Sequence, residues 1–190
     1  MVVEPRDLRP EEELDDLEVR IAPMRRRHLR GVLRIEHQVY PRPWSVGLFM
    51  SELALRTSRA YLVARVGPDV VGYAGLLLVG DEAHVTTIAV EPTWHRHKIG
   101  TRLLVHLTRE AVQRGATALT LEVRVGNGAA KAMYARFGYA PAGIRKGYYV
   151  ETGEDALIMW AHGVAEPEYR ARLAAIEACI PGLTTVEDAP

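Results

Sequence analysis

Cysteine is nearly missing from this sequence. Cys179 is the single one in 190 residues, which excludes an intrachain disulfide framework and a cysteine-rich zinc site and suits a reducing compartment. An excess of either charge is missing too. With 24 Lys+Arg against 24 Asp+Glu, no global attraction to nucleic acid or an anionic membrane is expected, and charge-driven binding must come from a local cluster. Long apolar runs are also lacking: the most apolar stretch, residues 70–79, is shorter than the ~20 residues of a bilayer span and is broken by Gly72 and Gly75. The opening MVVEPRDLRPEEELDD has no basic segment followed by an apolar run, the pattern of a secretory signal. Internal repeats and low-complexity segments are absent. The expectation is a soluble, cytoplasmic chain with one domain, and 48% hydrophobic with 25% charged residues argues against wholesale disorder.

What is present divides into three stretches. Residues 1–18 carry eight acidic residues and two arginines, with Pro5 and Pro10, and read as a mobile or surface extension. Residues 19–162 read as the domain. A short strand near 17–22 ends at Pro23, and residues 24–40 follow as a helix with Leu29, Val32, Leu33 and Tyr40 on one stripe. Glu36 falls on that apolar stripe, so it needs a partner or a polar cavity. Ser45 is placed to cap a second helix running to Leu53. Strands are predicted over 60–66, 70–78 and 84–90, a helix over 99–114, a strand over 119–123, a helix over 128–137, and two strands over 140–149 and 155–161. Antiparallel strands followed by helical crossovers make a mixed α/β sheet. Residues 163–190 form a helical appendage with Leu173, Ile176 and Ile180 on one face, docked on the domain or on a second subunit, and a frayed end.

Chemistry concentrates at TTIAVEPTWHRHKIGTRLL, residues 86–104. A strand ends at Val90, Glu91-Pro92 turns the chain, and a helix opens near Ile99–Gly100 with His95, Arg96, His97, Lys98 and Arg102 around its start. Unpaired N–H groups and the positive end of a helix dipole, joined by basic side chains, suit a pyrophosphate; a solvated basic helix start is the alternative. His95 and His97 have no third ligand nearby, so no metal is expected. On the strand 119–123, Glu122 shares a face with Thr120 and Arg124. A carboxylate in the middle of a crossover sheet implies a polar cavity or an ion pair with Arg124 or another arginine.

These blocks together carry a resemblance. Strand–VEP–turn–basic residues–IG–LL, then LEVRVGNGAAKAMYARFGY, RKGYY and EDALIMW, with IEHQVYPRPWS near the front, resemble the RimI-type branch of the GNAT N-acetyltransferases over residues 19–161. The resemblance implies a GNAT fold: a mixed, mostly antiparallel central sheet splayed between two parallel strands and flanked by helices. It implies acetyl-CoA as co-substrate, no metal, and the N-terminal alanine of a bacterial small-subunit ribosomal protein as acceptor. Neither membrane nor direct nucleic-acid binding is implied. Other protein N-termini, a small-molecule amine, or a silent acyl-CoA-binding module remain as alternatives.

The implied site is specific. The pantetheine arm would pair with backbone groups of Ile88, Ala89 and Val90, and the pyrophosphate would meet the N–H groups of Arg96, His97, Lys98, Ile99, Gly100 and Thr101. Glu122 would be the general base and Tyr134 the general acid, although Tyr134 also lies on a packing stripe. Asn127 would bond the cofactor arm or cap a helix. Glu36, Trp44, Tyr148 and Tyr149 are candidates for the acceptor groove, against simple packing or, for Glu36, an arginine partner. Two positions depart from the family's Gln/Arg-x-x-Gly-x-Gly/Ala pattern. His95 replaces Gln or Arg, and Lys98 replaces the first glycine, where it must hold an allowed conformation and swing its side chain away.

Overall fold

The computed structural model describes residues 14–187. Eight strands form one sheet: β1 Glu18–Pro23, β2 Arg59–Val66, β3 Asp69–Val79, β4 Glu82–Val90, β5 Ala118–Arg124, β6 Ala140–Tyr149, β7 Glu154–His162 and β8 Leu183–Val186, in the order β6-β7-β5-β4-β3-β2-β1-β8. Among the described residues five α-helices accompany them: α1 Leu29–Val39, α2 Val46–Ala54, α3 Ile99–Gln113, α4 Gly128–Arg136 and α5 Pro167–Ala178. Two neighbouring pairs are parallel, β4 with β5 and β1 with β8; the rest are antiparallel. The expected splayed, mostly antiparallel α/β sheet is therefore present.

Each face of the sheet carries its own core. On one side α3, the end of α4 and α5 bury Leu103, Leu104, Leu107, Phe137 and Ile176 against Ile21, Leu119 and Leu121. On the other, α1 and α2 bury Val32, Ile35 and Phe49 against Val63 and Tyr73. Each such side chain contributes roughly 1.5–3 kcal/mol by leaving water. α3 approaches β3 closely because Gly72 has no side chain. A Cβ there would come within 2.9 Å of Ile99 Cγ2 and 3.2 Å of Leu103 Cδ1.

The splay has a local cause. β4 and β5 pair only from Glu82↔Ala118 to Val85↔Leu121. There β4 bulges: its register with β3 jumps from Leu76↔Val85 to Gly75↔Thr87, leaving Thr86 as the extra residue. Such a bulge bends the strand and sharpens its twist. β4 then follows β3 to Val90 while β5 follows β7 to Arg124, and the two parallel strands part in a V.

The ends differ in part from expectation. Residues 1–13, most of the acidic extension, lie outside the described residues. α5 docks on the domain, burying Tyr169, Leu173 and Ile176, with the Tyr169 hydroxyl donating to Phe137 O at 2.6 Å. The segment expected to fray forms β8, because β1 offers an open ladder: Leu183 N donates to Leu17 O and Glu187 N to Ile21 O, both at 2.9 Å. Arg102, expected beside the helix start, points instead into this segment. Its guanidinium, 1% exposed, donates to Thr184 Oγ1 and Pro181 O, and burial pushes its pKa down to about 10.

Candidate active site

The turn before α3 is built to present N–H groups. Among the described residues, no acceptor meets the backbone N–H groups of 96–101 with good hydrogen-bond geometry; the first well-formed α3 hydrogen bond is Arg102 N to Lys98 O. Arg96 (φ 69°) and Lys98 (φ 58°, ψ 16°) both hold left-handed backbone, and Lys98 is the N-cap. Left-handed residues in a turn gather successive N–H groups into an anion-binding concavity. Lys98 thus keeps the torsions that a glycine would take there, at a cost of about 1–2 kcal/mol for an L-residue. The turn is braced from below: buried His97 Nδ1 donates to His95 O at 2.8 Å, and its ring meets Trp94 edge-on at 5.3 Å.

Along β4, the pairing of Glu91 N with Val71 O turns Glu91 and Ala89 toward β3, so Ile88 and Val90 turn their backbone groups into the gap. Ala89 is a correction: its backbone faces β3 and its side chain is buried in the α1–α2 core. Across the mouth, the Tyr40 hydroxyl donates to Ile88 O at 3.3 Å and lies 3.3 Å from Thr87 Oγ1. His95 Nε2 lies 3.2 Å from Val90 O.

Glu122 sits where the strands part, its side chain 8% exposed. Its partner is not Arg124. Oε2 lies 2.5 Å from His84 Nε2, and Oε1 lies 3.0 Å from Arg145 Nη1. Arg124 turns to Thr152 and Glu154 and stacks 4.0 Å over the Tyr149 ring. Tyr134 is buried, its ring 5.7 Å from Tyr139. Burial first, then the nearby Tyr40 and Tyr149 hydroxyls, push its pKa far above the usual phenol range, so it stays protonated at neutral pH. The Tyr149 hydroxyl donates to Glu122 O at 3.4 Å. The Asn127 Oδ1 accepts from Ala130 N at 3.0 Å, which makes it the α4 cap and leaves its amide group to other partners.

The acceptor-side candidates separate. Glu36 is 2% exposed, with Oε2 accepting from Trp44 N at 2.8 Å and Oε1 from the Tyr73 hydroxyl. It ties the loop between α1 and α2 to β3 and does not line a groove; its partner is a tyrosine, not an arginine. Trp44 packs on Phe49 at 5.3 Å. Tyr148 is exposed and Tyr149 half-buried, their rings edge-to-face at 5.2 Å on β6. Arg42 reaches across from the α1–α2 loop to Glu151 of the β6–β7 hairpin at 3.3 Å. Three neighbours of the site escaped the sequence reading: Tyr40, His84 and Arg145. Only the period-two alternation of 84–90 hinted at His84, and nothing local pairs it with Glu122. Among the described residues no cluster of three or more metal-ligating side chains occurs, and no helix is long and apolar enough to cross a membrane.

Comparison with known proteins places this geometry. The profile of the Acetyltransferase (GNAT) family matches residues 29–139. The ribosomal protein bS18-alanine N-acetyltransferase of Escherichia coli K12 is 38% identical over 133 residues, covering 69% of this chain and 88% of that protein. The N-alpha-acetyltransferase RimI of Mycobacterium tuberculosis is 40% identical over 121 residues, covering 62% and 74%. The crystal structure of the Escherichia coli ribosomal-protein-S18-alanine N-acetyltransferase superposes with a TM-score of 0.69 at 33% identity, over 76% of this chain and 94% of that one. With its sheet opening between two parallel strands, this chain belongs to the GNAT family as an N-acetyltransferase with RimI-type relatives.

Proposed function

We propose that the chain acetylates the N-terminal alanine of a small-subunit ribosomal protein in the cytoplasm, with acetyl-CoA as donor. The observation that carries this reading is the V between β4 and β5, with Glu122 at its base and the free N–H groups of 96–101 at its rim. The names of the relatives support the acceptor. When bound, the donor supplies an activated acetyl group as a thioester. The N–H groups of 96–101 hold its pyrophosphate, the gap-facing backbone of Ile88 and Val90 holds its arm, and a backbone N–H near Val90 takes up charge developing on the carbonyl oxygen.

Glu122 belongs to the base, and Tyr134, kept neutral by its surroundings, protonates the leaving sulfur. An α-amine suits this machinery. Its ordinary pKa of about 7.7–8.0 asks for roughly 1 kcal/mol of deprotonation at neutral pH, against over 4 for a lysine at about 10.4.

Turnover on defined N-terminal peptides tests the reading. We expect an alanine-starting ribosomal peptide to be acetylated, and Glu122→Gln and Tyr134→Phe each to lower kcat by roughly 10²–10⁴-fold while coenzyme A binding stays within twofold. Acetylation confined to small-molecule amines would move the acceptor assignment elsewhere. Binding without turnover, equally low in wild type and Glu122→Gln, would leave the chain a silent acyl-CoA-binding module.

A further inference from the structure

The carboxylate proposed for the base has no free approach of its own. Glu122 is 8% exposed, with one oxygen on Arg145 and the other 2.5 Å from His84 Nε2. His84 is more open, with a side chain 30% exposed. It stands on β4 opposite Thr120 of β5, in the last paired stretch before the strands separate. A carboxylate on Nε2 fixes the tautomer: the proton sits on Nε2 and is donated to Glu122, which leaves the Nδ1 lone pair outward. Among the described residues Nδ1 has no hydrogen-bond partner. An imidazole held by a carboxylate at one nitrogen and open at the other is arranged to take a proton at the open one, with the carboxylate stabilising the imidazolium.

We propose that the base is a His84–Glu122 dyad in which His84 Nδ1 receives the proton of the incoming amine, directly or through one water, and Glu122 orients and stabilises it. The inference rests on the reading that Glu122 lies at the base of the reaction site. The steps balance. The ammonium gives one proton to Nδ1, and the exposed ring passes it to solvent. The N–C bond forms, the C–S bond breaks, and the thiolate takes the Tyr134 proton. The second amine proton then restores Tyr134. An imidazole, with an ordinary pKa of about 6.5, is also closer in basicity to an α-amine than a carboxylate at about 4.3 is. The charged and titratable groups facing the dyad are Arg145 and Tyr148 of β6 and the Tyr149 hydroxyl on Glu122 O. Beside His84 stand the uncharged Leu77 of β3 and Thr120.

The test is the pH profile of kcat/KM on the alanine-starting acceptor peptide for wild type, His84→Gln, His84→Ala and Glu122→Gln, with coenzyme A affinity measured on each. We expect His84→Gln to lose on the order of 10²-fold, with the remaining acid-side limb that of the peptide amine alone, and added imidazole to recover activity in His84→Ala. Glu122→Gln should lose a similar factor. Coenzyme A affinity should hold throughout, which separates chemistry from misfolding. If His84→Gln keeps the wild-type rate and limb while Glu122→Gln is crippled, the dyad is overturned and Glu122 acts alone. If neither substitution matters, the dyad and the reading beneath it fall together.

Discussion

His28 shows how one side chain can be held against its own chemistry. It is 5% exposed, with Arg25 N donating to Nδ1 at 3.1 Å and Arg27 Nε standing 3.2 Å from Nε2. A neutral imidazole accepts at one nitrogen and a protonated one at neither, so both neighbours oppose protonation. Burial above all, then the Arg27 and Arg65 charges, lowers its pKa to about 4, with Glu187 pulling the other way. An unfolded chain, with an ordinary histidine near 6.5, therefore binds more protons than the folded one between about pH 4 and 6.5. This contribution is complete above about 6.5 and is lost as pH falls toward 4. We expect the urea midpoint to drop across that window, and His28→Gln to drop less; equal slopes would show the ring titrates normally in the fold. Glu122 and Glu36 mark what was legible at this scale. Both were visible as carboxylates on faces that needed partners, but which residues those are, His84, Arg145 and Tyr73, is set by other strands far along the chain.

At the scale of elements, the order of strands and helices followed from periodicity and turn residues, while two features did not. The Thr86 bulge lies inside a strand whose alternation looks regular, and it is decided by the register β4 takes on β3. β8 was missed because four residues, Leu183–Val186, carry too little pattern to announce a strand; they become one by finding the open edge of β1. Arg102 couples that strand to the helix whose mouth faces the V. Its guanidinium is the donor for Pro181 O and Thr184, with Nε itself buried and unpartnered. Arg102→Leu should leave Pro181 O unsatisfied and cost about 1–3 kcal/mol. Hydrogen exchange checks it: amides of 183–187 should lose protection first, and unchanged protection there would show that ladder pairing alone holds β8.

For the whole molecule, neutrality conceals segregation. Arg27, Arg30, Arg34 and Arg65 line a hollow beside His28 with Asp69 among them, and Arg34 reaches Glu91, just past the end of β4, at 3.3 Å. The V opened by the Thr86 bulge lies between two cores, one per face of the sheet. A ligand bridging β4 and the α3 mouth stabilises the folded form by mass action. At one hundred times its dissociation constant the gain is about 2.7 kcal/mol, or roughly 5–10 °C in Tm for a chain of this size. We expect that rise with acetyl-CoA in a thermal melt and its reversal when the ligand is removed by gel filtration. A Tm indifferent to saturating acetyl-CoA would count against the rim as its seat.

The sequence by itself determined the alternation of strands and helices, the turn ahead of α3 and the residue types at its mouth, because these depend on neighbours a few positions apart. Tertiary structure alone decided which charges meet and where the sheet opens. Glu122 finds His84 and Arg145 rather than Arg124 because the strands carrying them are brought together by chain crossovers. The opening appears where two edges lose each other's hydrogen bonds, a property of a pair of strands and of neither one alone.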